Sequence, residues 1–133
     1  MHMIADMKKI ARSVGFAWKG LRHAYRSDKS FRLEVVYGLP AYLCVGWMLF
    51  PFAPWEFLLY LFSYLFILTV ELVNTAFEKM LDRVHPEDHE LIGKSKDISS
   101  AAVLVAFLFA IAVVATLWLT RIAETTLVPF PFG

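Results

Sequence analysis

Charged residues and cysteine are both scarce in this sequence. Asp, Glu, Lys and Arg make up 19% of its 133 residues, whereas 59% are hydrophobic and the mean hydropathy is +0.58. Such a composition excludes an ordinary soluble domain and predicts a small integral membrane protein. Cys44 is the only cysteine, so a disulfide framework within the chain is excluded. Its apolar neighbours favour a role as a small buried hydrophobic residue.

The usual nucleotide and zinc motifs are missing as well. Residues 93–95, Gly-Lys-Ser, resemble the end of a P-loop, but Asp88 stands at the upstream glycine position and no predicted strand precedes it. His85 and His89 have the spacing of a zinc-binding helix, but Pro86 replaces the catalytic Glu in a segment with the composition of a loop. We therefore expect neither a P-loop nor a zinc site. We also expect no nucleic-acid partner.

Three apolar segments dominate the chain and predict an all-α fold with three transmembrane helices. The first and third carry no charge, and the second reaches a normal length only if it includes Glu71. We predict a single membrane domain with an amphipathic surface helix at 7–32, spans at 35–54, 57–82 and 98–120, a cytoplasmic loop at 83–97 and a periplasmic tail at 121–133. Because a long basic segment precedes the first apolar run, we expect no cleavable signal peptide.

Basic residues are unevenly distributed along the chain. Of the thirteen Lys and Arg, eight lie within residues 8–32 and four within residues 79–96, whereas the turn at 51–56 has none. By the positive-inside rule, the N-terminus and the 83–97 loop are cytoplasmic and the C-terminus lies outside. We expect Glu56 to be an exposed charge in the turn.

An acidic ladder lies at the end of the second span. Four polar residues at spacings of three and four project on one helical face: Glu71, Asn74, Glu78 and Asp82. A charge at the centre of a lipid-facing helix costs about 2.5–3.5 kcal/mol, so Glu71 should face protein or a wet cavity. Three helices are too few to enclose such a site, so we expect a homo-oligomer that shields the acids at its subunit interfaces.

These carboxylates allow more than one function. Magnesium prefers one or two carboxylates completed by water and substrate phosphates, so Glu78 with a second acid suits a nucleotide complex, and Lys96 suits a phosphate. Glu71, in a drier environment, could accept a proton from a hydroxyl at the headgroup level, which is the layout that a lipid kinase needs. The same residues also allow interhelical hydrogen bonds that only hold an oligomer together, or a proton pathway through it.

Several motifs resemble the prokaryotic diacylglycerol kinase family, over roughly residues 8–121. The strongest are residues 71–78, Glu-Leu-Val-Asn-Thr-Ala-Phe-Glu, with Asp82, and residues 96–103, Lys-Asp-Ile-Ser-Ser-Ala-Ala-Val. Weaker matches to the family's surface helix lie at 18–21 and 31–34. The resemblance implies a homotrimer in the bacterial inner membrane, with composite active sites between subunits. It also implies Mg²⁺-dependent transfer of the γ-phosphate of ATP to a membrane lipid alcohol.

The resemblance also implies roles for residues at matching positions. Glu71 would be the catalytic base, and Asp28 and Glu78 the magnesium ligands. Residues around ATP would be Lys9, Phe16, Asp28, Glu78, Glu87, His89, Lys96 and Asp97. Residues near the lipid substrate or its hydroxyl would be Arg22, Ser30, Glu34, Trp47, Asn74 and Ser100. At positions 28 and 16 the family commonly has Glu and Tyr, so Asp28 and Phe16 are departures from its pattern.

The family divides by lipid substrate. Relatives resembling the undecaprenol kinases share Glu71, Asn74 and Glu78 and the Lys-Asp pair at 96–97. Residues 18–20 and 99–102 look more like the diacylglycerol branch. We therefore expect an enzyme that converts diacylglycerol to phosphatidic acid at the cytoplasmic face of the membrane. An undecaprenol kinase of the same fold is the nearest alternative, and a structural or proton-conducting oligomer is a more distant one.

Overall fold

The computed structural model describes residues 2–84 and 89–127, and within these ranges the chain contains helices and no strand. Its elements are α1 (His2–Ser27), α2 (Lys29–Leu33), a π-helical turn (Glu34–Gly38), α3 (Leu39–Leu49), α4 (Pro54–Val84) and α5 (Glu90–Leu127). The prediction of an all-α fold is therefore confirmed.

Two helices of the described part, α4 and α5, are long and apolar enough to cross a membrane. With 31 and 38 residues, they are about 46 Å and 57 Å long, against about 30 Å for a hydrocarbon core. Each helix can therefore cross the membrane and still extend beyond it.

The predicted first span, residues 35–54, corresponds to the π turn from residue 35 onward and to α3. Pro40 lies in the first turn of α3 and has no N–H, so it interrupts the α-helical hydrogen bonds there. Directly before it, the N–H of Leu39 donates to the carbonyl of Glu34, five residues back. The helix ends at Leu49, earlier than the predicted residue 54, since Pro51 follows. That this segment crosses the membrane remains a prediction.

One face of α5 packs against α4 and α3. Its buried residues recur at spacings of three and four: Ala106, Ala110, Val113 and Leu117. The two alanines allow α4 to approach closely at Ile67. Cys44, on the outer side of α3, is exposed, so the expectation that it is buried is wrong for the single chain.

The connection between α4 and α5 is shorter than predicted. α5 begins at Glu90, so residues 90–97 are helical, although the sequence analysis placed them in the 83–97 loop. His89 Nδ1 accepts a hydrogen bond from the N–H of Leu91 at 3.2 Å, and Lys94 pairs with Glu90 at 2.6 Å. A cap and an i,i+4 ion pair therefore stabilise the start of α5. The polar composition of these residues had led to the prediction of a loop. α5 also continues through residues 121–127 of the predicted tail, and residues 128–133 lie outside the described part.

Glu56 is buried, so the expectation that it is an exposed turn charge is wrong. Its Oε2 atom lies 2.6 Å from Nη2 of Arg121 and accepts a hydrogen bond from the N–H of Ala53 at 2.8 Å. Arg121 also donates to the carbonyls of Leu49 and Pro51, at 3.1 and 2.7 Å. This ion pair, which we call the turn lock, ties the α3–α4 turn to α5.

Candidate active site

A polar cavity of about 400 Å³ lies between α2, the π turn, α4 and α5. The described residues that line it are Asp28, Ser30, Leu33, Glu34, Glu71, Asn74, Glu78, Ser100, Val103 and Phe107. Seven of these were site residues in the sequence analysis: Asp28, Ser30, Glu34, Glu71, Asn74, Glu78 and Ser100. We call it the acidic cavity.

Helical periodicity explains how α4 supplies three of these residues. Glu71, Asn74 and Glu78 follow one another at spacings of three and four, so they lie on one face of an unbroken helix. Glu71 is only 3% exposed and Asn74 9% exposed, whereas Glu78 is half-buried. The fourth member of the predicted ladder, Asp82, leaves the cavity and forms an ion pair with Lys96 on α5.

Four carboxylates line the acidic cavity, while no Lys, Arg or His is among its described lining residues. Burial, which is the largest cause, and the charges of Glu71 and Asp28 together raise the pKa of Glu34, which precedes the first apolar segment, to about 7. The Oε2 atom of Glu34 is buried and has no hydrogen-bond partner among the described residues. Buried oxygens without partners are costly, so this cavity is suited to a ligand that brings a cation or a hydrogen-bond donor.

Asn74 is held by hydrogen bonds on both sides of its amide. Its Oδ1 accepts from Ser99 Oγ at 2.6 Å, and its Nδ2 donates to Glu78 Oε1 at 3.4 Å. Ser99 lies outside the residues that the sequence analysis assigned to the site, although it belongs to the 96–103 motif used for the resemblance. Its spacing of 25 residues from Asn74 gives no local signal, since α4 and α5 must pack before the two side chains meet.

Asp28 both shapes the chain and lines the cavity. Its backbone is extended, with φ −112° and ψ 127°, which separates α1 from α2 within the predicted 7–32 helix. Its Oδ1 caps α2 by accepting from the N–H of Phe31 at 2.8 Å. One carboxylate oxygen is therefore committed to the cap, which leaves Oδ2 for a ligand.

The donor set of the acidic cavity fits magnesium. Within residues 2–84 and 89–127, no three His, Cys, Asp or Glu side chains form a metal-binding group by themselves. Magnesium rarely uses such a cage, because it keeps several waters and binds through one or two carboxylates together with substrate phosphates. Asp28 and Glu78 supply two carboxylates beside a cavity with room for the remaining ligands.

The other predicted site residues do not line the acidic cavity of the single chain. Lys9, Phe16 and Arg22 lie on α1, where every side chain from residue 6 to residue 23 is exposed. Trp47 is 83% exposed and lines an apolar groove on α3. Asp97 is exposed on α5. Lys96 pairs with Asp82, and His89 caps α5. Glu87 lies outside the described residues.

Fold and cavity together define a small helical membrane protein in which four carboxylates, with that of Glu71 buried, line one polar site. A family model described as "Prokaryotic diacylglycerol kinase" matches residues 15–118. The chain belongs to this family, and it is an enzyme, a lipid kinase.

Relatives from three bacteria agree with this family. The chain is 37% identical over 103 residues to the diacylglycerol kinase of Escherichia coli strain K12, with 77% of this chain and 83% of the relative covered. It is 33% identical over 114 residues to the diacylglycerol kinase of Pseudomonas aeruginosa, with 86% and 88% covered. It is 30% identical over 106 residues to that of Haemophilus influenzae, with 80% and 88% covered.

Proposed function

We propose that this chain is an ATP- and Mg²⁺-dependent diacylglycerol kinase, which forms phosphatidic acid and ADP. The observation that carries the proposal is the acidic cavity, in which the buried carboxyl of Glu71 and the carboxylates of Asp28 and Glu78 line one space. A proton acceptor and a metal-binding pair must share one site if a metal-bound phosphoryl group is to meet an alcohol. The names of the relatives support diacylglycerol as the alcohol.

In the proposed reaction, Glu71 takes the proton of the lipid hydroxyl as the hydroxyl oxygen attacks the γ-phosphorus. The new phosphorus–oxygen bond forms while the bond from the γ-phosphorus to the β,γ-bridging oxygen breaks, and ADP leaves. Glu34 Oε2, which lacks a partner among the described residues, is an acceptor suited to orient the alcohol. Asn74, fixed by Ser99, and Ser100 would contact the alcohol from α4 and α5.

Asp28 and Glu78 would hold the Mg²⁺ of the nucleotide. When bound, the ion supplies positive charge to the phosphate oxygens in the transition state. Oδ2 of Asp28 is available because Oδ1 caps α2. Glu78 presents Oε1 with only a long contact of 3.4 Å from Asn74.

The nucleotide contacts would be completed between subunits of a homotrimer in the bacterial inner membrane. Lys9 and Phe16 are exposed on α1, and Asp97 is exposed on α5, so each is accessible to a neighbouring copy. Lys96, His89 and Glu87 belong to the same proposed ATP set. Arg22 and Trp47 would approach the lipid from the same interface. The basic α1 and the 83–97 segment would face the cytoplasm, where ATP is found.

The proposal is tested with purified protein, radiolabelled ATP and Mg²⁺, adding diacylglycerol and undecaprenol in separate reactions. Labelled phosphatidic acid is the expected product. Labelled undecaprenyl phosphate alone would show the polyprenol kinase alternative. No labelled lipid in either reaction would overturn the kinase proposal, and proton current in liposomes would then identify a conductor.

A further inference from the structure

The hydroxyl of Tyr64 contacts the backbone at the first residue of the π turn. Tyr64 Oη donates a hydrogen bond of 2.7 Å to the carbonyl oxygen of Glu34, which also accepts the π-type bond from the N–H of Leu39. Both lone pairs of this carbonyl are thus used, one by the helix itself and one by α4. The side chain of the same residue, Glu34, lines the acidic cavity.

A missing side chain at Gly38 makes room for this hydroxyl. A Cβ atom at position 38 would lie 2.9 Å from Tyr64 Oη, closer than real Cβ contacts allow, whereas the ring carbon Cζ would be 3.9 Å away. The conflict therefore involves the hydroxyl and not the ring. An alanine at position 38 would therefore force the Tyr64 hydroxyl or the π turn to shift.

A stack of aromatic rings holds Tyr64 in place. Its ring stacks on Tyr42 at a centroid distance of 4.7 Å, and Tyr42 stacks on Tyr60 at 4.1 Å. Tyr42 Oη lies 2.5 Å from Ser63 Oγ, and Tyr60 Oη donates to the carbonyl of Tyr42. Tyr64 is 6% exposed. The hydroxyl that reaches the π turn is thus carried on a rigid support.

We propose that Tyr64 is a positioning residue, which holds the π turn through the Glu34 carbonyl and so directs the Glu34 carboxyl into the acidic cavity toward the lipid alcohol. A π turn contains one residue more than an α turn, so its relaxation to α-helix would rotate Glu34 relative to α3 by roughly 100°. This inference rests on the proposed function, in which Glu34 orients the alcohol. Tyr64 touches no substrate and acts only through the turn.

Tyr64→Phe removes the hydroxyl and keeps the ring. Loss of one buried hydrogen bond predicts a decrease in kcat/KM for the lipid of about fivefold, with the KM for ATP unchanged. Gly38→Ala should lower kcat/KM for the lipid at least as far, because its Cβ displaces the same hydroxyl. The double variant should match Tyr64→Phe alone, since the clashing atom is gone. This non-additivity of the two substitutions is the signature of the proposed contact.

Tyr60→Phe is the matched control, because it removes a hydroxyl from the same stack without touching Glu34. Both Tyr→Phe variants should lose similar thermal stability, but only Tyr64→Phe should lose kcat/KM for the lipid. Equal effects of the two variants on kcat/KM, or additive effects of Gly38→Ala and Tyr64→Phe, would overturn the inference. If wild-type protein phosphorylates no lipid, the proposed function fails instead. The contact is then tested by thermal unfolding of the two single variants and the double variant, where non-additive losses of stability are expected and additive losses would overturn it.

Discussion

Replacing Glu71 by Gln should remove the proton acceptor and leave the fold intact. The two side chains have nearly the same shape, and Glu71 is only 3% exposed, so no cavity is created. The substitution also removes one of the four carboxyl groups that line the acidic cavity. Because a negative charge at the buried Glu71 is disfavoured by its carboxylate neighbours, the variant should be at least as stable as the wild type. Lost activity therefore could not be ascribed to unfolding.

The expected loss of activity follows from the role of a general base. Such a group contributes about 10²–10⁴-fold to the rate, which corresponds to about 3–5 kcal/mol of transition-state stabilisation. We expect kcat of Glu71→Gln to fall by about this factor. The KM for ATP should change little, because the proposed metal ligands are Asp28 and Glu78. The assay is the initial rate of labelled phosphatidic acid formation, with oligomer size measured on the same sample.

Glu124→Gln provides the matched control for this variant. Glu124 is an exposed carboxylate on α5, far along the chain from the acidic cavity, with its side chain 62% exposed. Its replacement should leave kcat and oligomer size as in the wild type. If Glu71→Gln keeps a tenth or more of the wild-type kcat, Glu71 is not the base. If instead the oligomer dissociates and activity survives in the fraction that stays assembled, the acidic ladder serves to hold the subunits together and not to catalyse the reaction.

Three further predictions follow from the same geometry. Glu78→Gln should raise the Mg²⁺ concentration for half-maximal activity by about tenfold or more, and an unchanged magnesium titration would remove Glu78 from the metal site. Arg121→Met should lower the unfolding temperature by roughly 5–10 °C, because the substitution leaves the buried carboxylate of Glu56 without its cation. Adding Glu56→Gln should restore part of this loss. An unfolding temperature equal to that of the wild type would contradict the turn lock. Glu34, whose pKa is raised from 4.5 to about 7, contributes stability that is complete below pH 4.5 and is lost as the pH rises through about 7. Glu34→Gln should flatten this pH dependence in thermal unfolding, and an unchanged slope would assign it to another group.

Features that depend on local periodicity could be predicted from the sequence. The spacing of Glu71, Asn74 and Glu78 places them on one face whatever else the chain does, and the structure shows all three lining one cavity. The family resemblance assigned Asp28 and Glu34 to the site, and both line the same cavity. The long apolar runs likewise predicted the two long helices α4 and α5.

Features that depend on distant contacts could not be predicted. Glu56 is buried because Arg121, 65 residues later, reaches the α3–α4 turn, and no local pattern relates the two. Tyr64 contacts the Glu34 carbonyl across 30 residues, so the π turn gave no signal that could be recognised beforehand.

The nucleotide side of the site is a separate case. The sequence resemblance grouped Lys9, Phe16 and Asp97 around ATP, but the single chain leaves them exposed and outside the acidic cavity. If the site is shared between subunits, no folding rule for one chain can bring these residues together.

The most direct measurement is a structure of the protein with Mg²⁺, a non-hydrolysable ATP analogue and diacylglycerol. We expect Mg²⁺ at about 2.1 Å from carboxylate oxygens of Asp28 and Glu78. The lipid hydroxyl should lie within hydrogen-bonding distance of Glu71. Phosphates bound elsewhere, with Glu71 and Glu78 facing acyl chains, would contradict the proposed chemistry.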